Sequence, residues 1–270
     1  MGLLLEAALL GVVQGLTEFL PVSSSAHLIL ARSFFRWNSE QFGLPFDVAC
    51  HVGTLTAILV YFRLDLRDLL SGLPRLFAPA ADPAARRLWF IALATIPAVL
   101  VGALLGDLVD AARTPAVIVV TLTVVGVLMV VVERAGAHQR QAESLSLLET
   151  LAVGVAQACA LIPGVSRSGA TITMGMFLGL TREAAARFSF VLGVPAMVGA
   201  ATLEGARLVM ADTPMDARTL QVFVVGMVVS GVVGYLTVRF FLRYLVNHTL
   251  NAFVVYRLAL AAVTLAWLVL

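Results

Sequence analysis

Apolar residues run along most of this chain in long blocks, and short polar segments separate the blocks. A transmembrane helix needs about 20 apolar residues, because a rise of 1.5 Å per residue must cover a hydrocarbon core about 30 Å thick. Six blocks meet that length, at 44–62, 88–106, 116–133, 186–204, 220–238 and 250–268. Two further regions are apolar but broken. Residues 3–31 are interrupted by Pro21-Val22-Ser23-Ser24-Ser25, and residues 148–180 by Pro163-Gly164-Val165-Ser166-Arg167-Ser168-Gly169. Each flank is too short to span, and irregular polar backbone at membrane depth survives only where protein or a water-filled cavity surrounds it. The pattern therefore predicts an all-α polytopic membrane protein: six transmembrane helices plus two re-entrant helical hairpins, with residues 1–270 forming one integral membrane domain.

The two broken regions resemble each other. A shift of 143 residues aligns Leu5, Glu6, Gly11, Val12, Gln14, Val22, Ser23, Ser25 and Ile29 with identical residues, nine identities in the 25 positions 5–29. The matches favour polar residues, which apolar drift does not supply. This predicts an internal repeat of 1–133 and 134–270.

Composition fits a bilayer and little else. Of the 270 residues 60% are hydrophobic and 13% charged, and the mean hydropathy is +0.98. Soluble domains carry about a quarter charged residues, so a soluble enzyme, a disordered chain and a nucleic-acid binder are excluded. Net charge is +2, and all 18 basic residues are arginine. Met1 leads into an apolar run without a basic stretch or a small-residue cleavage site, so the first segment is expected to stay in the mature protein. Cys50 and Cys159 lack metal-type spacing and read as small core residues.

The arginines orient the chain. Five lie in the 63–87 loop, and alternate counting puts six more on that side, eleven against five on the other. The positive-inside rule makes the eleven-arginine side cytoplasmic. The first hairpin then dips in from outside and the second from the cytoplasm, which is an inverted-topology repeat with both termini outside. Binding sites in such repeats lie near the midplane.

The polar residues of the two breaks carry the chemistry. Gln14 and Glu18 are one helical turn apart and share a face. Ser23, Ser24 and Ser25 offer hydroxyls and free N–H groups at the start of the next short helix, a natural anion site. His27 lies one turn beyond Ser23. Facing them, Arg167 stands between Ser166 and Ser168, followed by Gly169 and Thr171. A guanidinium at depth needs a carboxylate or a phosphate, and its planar fork suits either. Two plainer readings stay open: a hairpin tip satisfied internally, with Ser23 an ordinary helix cap, and a structural Arg167–Glu18 pair with no ligand. A carboxylate, serines, a histidine and an arginine facing one another are what hydrolysis of a phosphate ester or anhydride requires. Asp47 and His51 read as helix-end polar contacts, Arg257 as a structural or snorkelling residue, and His138 and His248 as loop residues without a role.

These residues carry a family resemblance. The stretch Gln14-Gly-Leu-Thr-Glu18-Phe-Leu-Pro-Val-Ser23-Ser24-Ser25-Ala-His27 and the stretch Pro163-Gly-Val-Ser166-Arg167-Ser168-Gly169-Ala-Thr171 resemble the two signature motifs of the undecaprenyl-diphosphatase family, bacterial membrane enzymes associated with bacitracin resistance. Gly53-Thr54-Leu55 after His51, and Phe188-Ser189-Phe190 with Pro195, also look familial, and the likeness covers essentially the whole chain. The resemblance implies removal of the terminal phosphate from undecaprenyl diphosphate in the bacterial inner membrane, with the site facing the periplasm, recycling the lipid carrier for peptidoglycan. It makes Glu18, Ser24, His27 and Arg167 catalytic, and Gln14, Ser23, Ser25, Ser166, Ser168, Gly169 and Thr171 substrate-binding. Arg167 is expected to clamp phosphate, and Glu18 to hold a divalent cation, Mg²⁺ or Ca²⁺, or to orient His27. Ser24 is the expected nucleophile with His27 as its base, and direct attack by His27 is the alternative. Oligomeric state is left open. Gln14 stands where many members have Glu, and Ser25-Ala26 where Thr-Gly is frequent. A lipid transporter or flippase is the competing function, because broken helices in inverted repeats are also a transporter signature. The two-histidine class of lipid phosphatases needs a His six residues after its Arg, and position 173 is Thr.

Overall fold

The computed structural model describes residues 2–37, 42–79, 82–136, 138–210 and 216–270. In chain order the helices are α1 (Leu3–Thr17), α2 (Ser24–Phe35), α3 (Leu44–Tyr61), α4 (Arg63–Leu70), α5 (Pro83–Ala111), α6 (Pro115–Ala135), α7 (Leu147–Cys159), α8 (Arg167–Phe177), α9 (Arg182–Met210), α10 (Ala217–Asn247) and α11 (Asn251–Val269). Among the described residues the only non-helical pairing is an isolated bridge between Arg140 and Leu180.

The six expected spans are α3, α5, α6, α9, α10 and α11, each long and apolar enough to cross a membrane. The protein is a multi-pass, all-helical membrane protein. Several spans outrun their apolar blocks because polar residues cap them beyond the hydrocarbon. Asp82 Oδ1 accepts the N–H groups of Ala84 and Ala85 at 2.8 and 3.1 Å ahead of Pro83 at the first turn of α5. Asp216 caps α10 through the Thr219 N–H at 2.8 Å. Such caps are each worth about 1 kcal/mol.

Setting aside the short α4, two short helices followed by three long ones occur twice in the chain. Packing crosses between the halves: α1 lies along α10, α7 lies along α5, α3 meets α9, and α6 meets α11. Lipid tails are as apolar as Leu, so helices in a bilayer associate by close packing at small residues rather than by a hydrophobic drive. The α1–α10 seam follows that rule. Gly226, Ser230 and Gly234 form a small-residue stripe at four-residue spacing, and a Cβ at Gly15 would sit 2.8 Å from the Ser230 carbonyl. Gly53 of α3 abuts Ser230 and the Met227 backbone, and the Ser230 hydroxyl donates to the Cys50 carbonyl at 2.8 Å. In the other half Gly154 of α7 lies against the Ala94 backbone of α5.

Cys50 is buried as expected, but Cys159 is exposed. Position 159 falls on the same outward face of α7 as the exposed Val155, one turn earlier. The apolar residues of this short helix fall on inward and outward faces alike, so a small apolar residue there does not declare which face it is on.

Candidate active site

The breaks between α1 and α2 and between α7 and α8 share one backbone device. Each turns on a serine in the left-handed region, Ser23 at φ 73° and Ser166 at φ 74°. That conformation costs a non-glycine residue about 1–3 kcal/mol, and each serine offsets it by capping the helix it starts. Ser23 Oγ accepts the Ala26 N–H at 3.4 Å, and Ser166 Oγ accepts the Gly169 N–H at 3.1 Å. Each also meets the serine two residues on, Ser25 Oγ at 3.2 Å and Ser168 Oγ at 3.1 Å.

Ser168 and Arg257 tie the tips together through main-chain carbonyls. Ser168 Oγ donates to the Leu20 carbonyl at 3.0 Å. Arg257 of α11 is fully buried and donates from Nη1 to the Pro21 carbonyl at 3.0 Å and from Nη2 to the Gly164 carbonyl at 2.9 Å. Its remaining bonds reach the Thr121 and Leu122 carbonyls of α6, each at 3.2 Å. Arg257 is therefore structural, as expected, but it does not snorkel: main-chain carbonyls from both tips disperse its charge. Phe19 and Phe190 pack edge to face at 5.5 Å behind the first tip.

Glu18, the residue after α1, collects the polar groups of both tips. Oε1 accepts from Arg167 Nη2 at 3.0 Å. Oε2 accepts from Ser24 Oγ at 2.7 Å and from Gln14 Nε2 at 3.0 Å, with His51 Nδ1 at 3.4 Å. The Glu18 side chain is 5% exposed and Arg167 14%. Removing water strengthens such a pair but makes either member costly alone. The ion pair does not use up the guanidinium: Arg167 Nη1 is buried without a partner among the described residues, as is Gln14 Oε1. Space for the guanidinium comes from Gly193 of α9, where a Cβ would coincide with Arg167 Nη1.

The expected site residues divide into two groups. Gln14, Glu18, Ser24 and Arg167 converge. Ser23, Ser25, Ser166, Ser168 and Gly169 build the tips, their hydroxyls and N–H groups largely engaged there. Thr171 lies behind the arginine, its Oγ1 donating to the Arg167 carbonyl at 2.7 Å and meeting Ser189 Oγ at 2.5 Å. The expected Ser24–His27 hydrogen bond does not form. Ser24 donates to Glu18, while His27 places Nδ1 2.7 Å from the Ser23 carbonyl and Nε2 2.7 Å from the Tyr256 hydroxyl.

His51, read from sequence as a helix-end contact, belongs to this cluster. Besides Glu18 it meets Gln14 Nε2 at 3.0 Å through Nδ1. Asp47 keeps the plainer role, held by Arg32 at 2.5 Å and Arg113 at 3.2 Å. Gly193 and Tyr256 gave no local signal. His51 did give one, since an imidazole inside an apolar span asks for a partner.

For a divalent cation, among the described residues no three His, Cys, Asp or Glu side chains are grouped as ligands. Glu18 and the unpartnered Gln14 Oε1 are hard oxygen donors, too few for a cage of their own. They suit an ion that takes most of its ligands from phosphate and water, the usual habit of Mg²⁺.

Comparison with known proteins gives a consistent result. Residues 7–263 match the family described as bacitracin resistance protein BacA. A protein of Rubrobacter xylanophilus named undecaprenyl-diphosphatase is 48% identical over 271 residues, with 99% of each chain covered. Proteins of the same name from Thermomicrobium roseum and Moorella thermoacetica are 46% and 42% identical, covering 96% and 98% of each chain.

Proposed function

The chain belongs to the bacitracin resistance protein BacA family, and we propose that it hydrolyses undecaprenyl diphosphate to undecaprenyl phosphate and inorganic phosphate. The observation that carries this reading is the convergence on Glu18 of the Ser24 hydroxyl and the Arg167 guanidinium from two facing tips. Phosphoryl transfer asks a protein mainly for positioning and charge stabilisation, and these residues supply both.

The chemistry follows from the hydrogen bonds. Arg167, with Nη1 free, binds the terminal phosphate and shares its Nη2 between phosphate and Glu18. Ser24 Oγ attacks the terminal phosphorus as its proton passes to Glu18. The bond from that phosphorus to the bridging oxygen breaks, and its electron pair leaves with undecaprenyl phosphate. Water then attacks the phosphoserine, inorganic phosphate departs, and Ser24 regains a proton. Glu18, rather than His27, is the base within reach of Ser24. Glu18 and Gln14 Oε1 are the residues that would hold a divalent cation, which would supply charge neutralisation for the diphosphate. Replacing Gln14 with Glu is expected to steepen metal dependence without abolishing turnover, and an unchanged metal titration removes residue 14 from that role.

The short helix pairs α1–α2 and α7–α8 read as re-entrant hairpins of an inverted repeat, residues 1–133 and 134–270. The matching tips and the crossed packing of the halves support that reading. The arginine asymmetry supports a reading with the 63–87 loop in the cytoplasm and the catalytic tips open to the periplasm, in the bacterial inner membrane. The activity there regenerates the lipid carrier of peptidoglycan synthesis.

The deciding experiment is phosphate release from undecaprenyl diphosphate by detergent-purified protein, with and without chelator. No membrane separates two sides there, so transport contributes nothing. Stoichiometric phosphate, reduced at least about 10²-fold in Ser24→Ala as befits a lost nucleophile, is the expected result. Intact protein that releases none overturns it.

A further inference from the structure

Tyr256 lies on α11 beside Arg257, 229 residues from the histidine it touches. Its hydroxyl sits 2.7 Å from His27 Nε2, and the two rings are nearly parallel, 7° apart with centroids at 5.5 Å. The other ring nitrogen faces the Ser23 carbonyl at 2.7 Å. A carbonyl oxygen can only accept, so Nδ1 carries a proton. In the neutral imidazole Nε2 is then a lone pair, and the Tyr256 hydroxyl donates to it. Among the described residues no other side chain is recorded in a hydrogen bond to the imidazole.

From this geometry we infer that Tyr256 is a positioning residue for catalysis: it holds the His27 ring with Nδ1–H on the Ser23 carbonyl, and through it the strained backbone that presents Ser24. The Ser23 carbonyl accepts twice from His27, from the ring and from the backbone N–H at 3.2 Å. Ser23 is the residue at φ 73° immediately before Ser24. In the second tip the corresponding Ser166 carbonyl takes only a backbone bond, from Ala170 at 2.9 Å, because alanine stands where His27 stands in the first. The extra brace thus occurs at the tip that bears a nucleophile. Unrestrained imidazole favours the Nε2–H tautomer, which would turn the Ser23 carbonyl and Nδ1 into two facing acceptors. The Ser23 carbonyl selects against that tautomer, and the Tyr256 hydroxyl, able to donate or accept, serves as donor to Nε2 and keeps the ring on that carbonyl.

The test uses Tyr256→Phe, which keeps the ring contact and removes only the hydroxyl. Nitrogen-15 spectra of protein labelled at its four histidines report the tautomer without substrate, with His27 identified from the spectrum of His27→Gln. The expected result is a dominant Nδ1–H tautomer in the native protein and a mixture with Nε2–H in Tyr256→Phe at unchanged melting temperature. The kinetic part rests on the hydrolase reading: kcat falls about 10-fold, less than the 10²- to 10⁴-fold lost with a general acid or base itself, while KM holds. Identical His27 signals in the two proteins overturn the inference. So does an altered tautomer with native kcat, since Tyr256 would then set the imidazole without serving catalysis. If native protein releases no phosphate, the hydrolase reading fails, and the spectra still decide whether Tyr256 governs His27.

Discussion

The two hairpin tips are the same backbone carrying opposite chemistry. Ser23 and Ser166 share a left-handed turn, a cap and a neighbouring serine contact. The equivalence ends at the side chains that matter. Glu18 of the first tip corresponds to Leu161 of the second, Ser24 to Arg167, and His27 to Ala170. One tip holds the carboxylate and the hydroxyl, and the other holds the cation. Two matching turns supply placement twice, and differences at three positions turn two anion-friendly helix starts into a complementary pair.

The largest expected effect tests that asymmetry directly. Glu18→Gln removes the carboxylate that accepts from Ser24 and the counter-charge of Arg167, and is expected on the proposed mechanism to lower kcat/KM by about 10³-fold, within the range for general bases. Leu161→Gln, the matching change in the other tip, is expected to leave kcat/KM within a few-fold. Equal losses in a phosphate-release assay would mean that the halves share the chemistry.

The next effect separates the arginine's charge from its place. Gly193→Ala leaves every charge intact but puts a methyl where Arg167 Nη1 lies, so kcat/KM should drop about 10²-fold, comparable to losing an aligned charge-stabilising donor. Arg167→Lys, which keeps charge and loses the fork, should fall similarly and mainly in kcat. A native-like rate in either variant shows that the fork does not engage the reacting phosphate.

A smaller effect probes what the tips share. Ser23→Gly and Ser166→Gly each relieve a positive φ and lose a cap, and these terms oppose each other at about 1 kcal/mol. Thermal unfolding in detergent should therefore move little, and alike, in both. A shift confined to one variant would show that the matching turns bear different loads.

The smallest effect concerns a difference at the helix starts. The second half opens with a capping box in which Ser146 and Glu149 satisfy each other, whereas α1 opens at Gly2 with no side-chain cap. Arg140, donating to Glu149 at 2.7 Å, holds that carboxyl down to about 2, helped by the Ser146 N–H. Its stabilising contribution is present above the ordinary carboxylate value of 4.5 and is lost as pH falls from there toward 2. Glu149→Gln should flatten the fall of melting temperature over that acid window. An unaltered slope would assign the window to other carboxylates.

Much of this was legible in the sequence because depth in a membrane is written as run length. The six spans, the two breaks and the meeting of Glu18, Ser24 and Arg167 all follow from where apolar runs stop and which polar residues interrupt them. Azimuth is not written that way. Where apolar residues fall on several faces of a helix, run length alone does not say that Cys159 faces out, nor which partner His51 meets. Pairings across the chain escaped for the same reason. Ser24 and His27 are three residues apart, and local spacing favoured a dyad. Partners from elsewhere, Glu18 for the serine and Tyr256 for the histidine, drew the two apart.

The fully buried Arg257 has a consequence for how the protein comes into being. The Pro21 carbonyl of the first tip waits for a donor 236 residues further along the chain, on a helix that follows all the other described helices in order. Until α11 is inserted, carbonyls of both tips and of α6 face apolar surroundings with no hydrogen bond from it. Assembly of the two tips is therefore not vectorial. The two tips stay unbraced until α11 closes over them, so a chain shortened before α11 is expected to be inert rather than partly active.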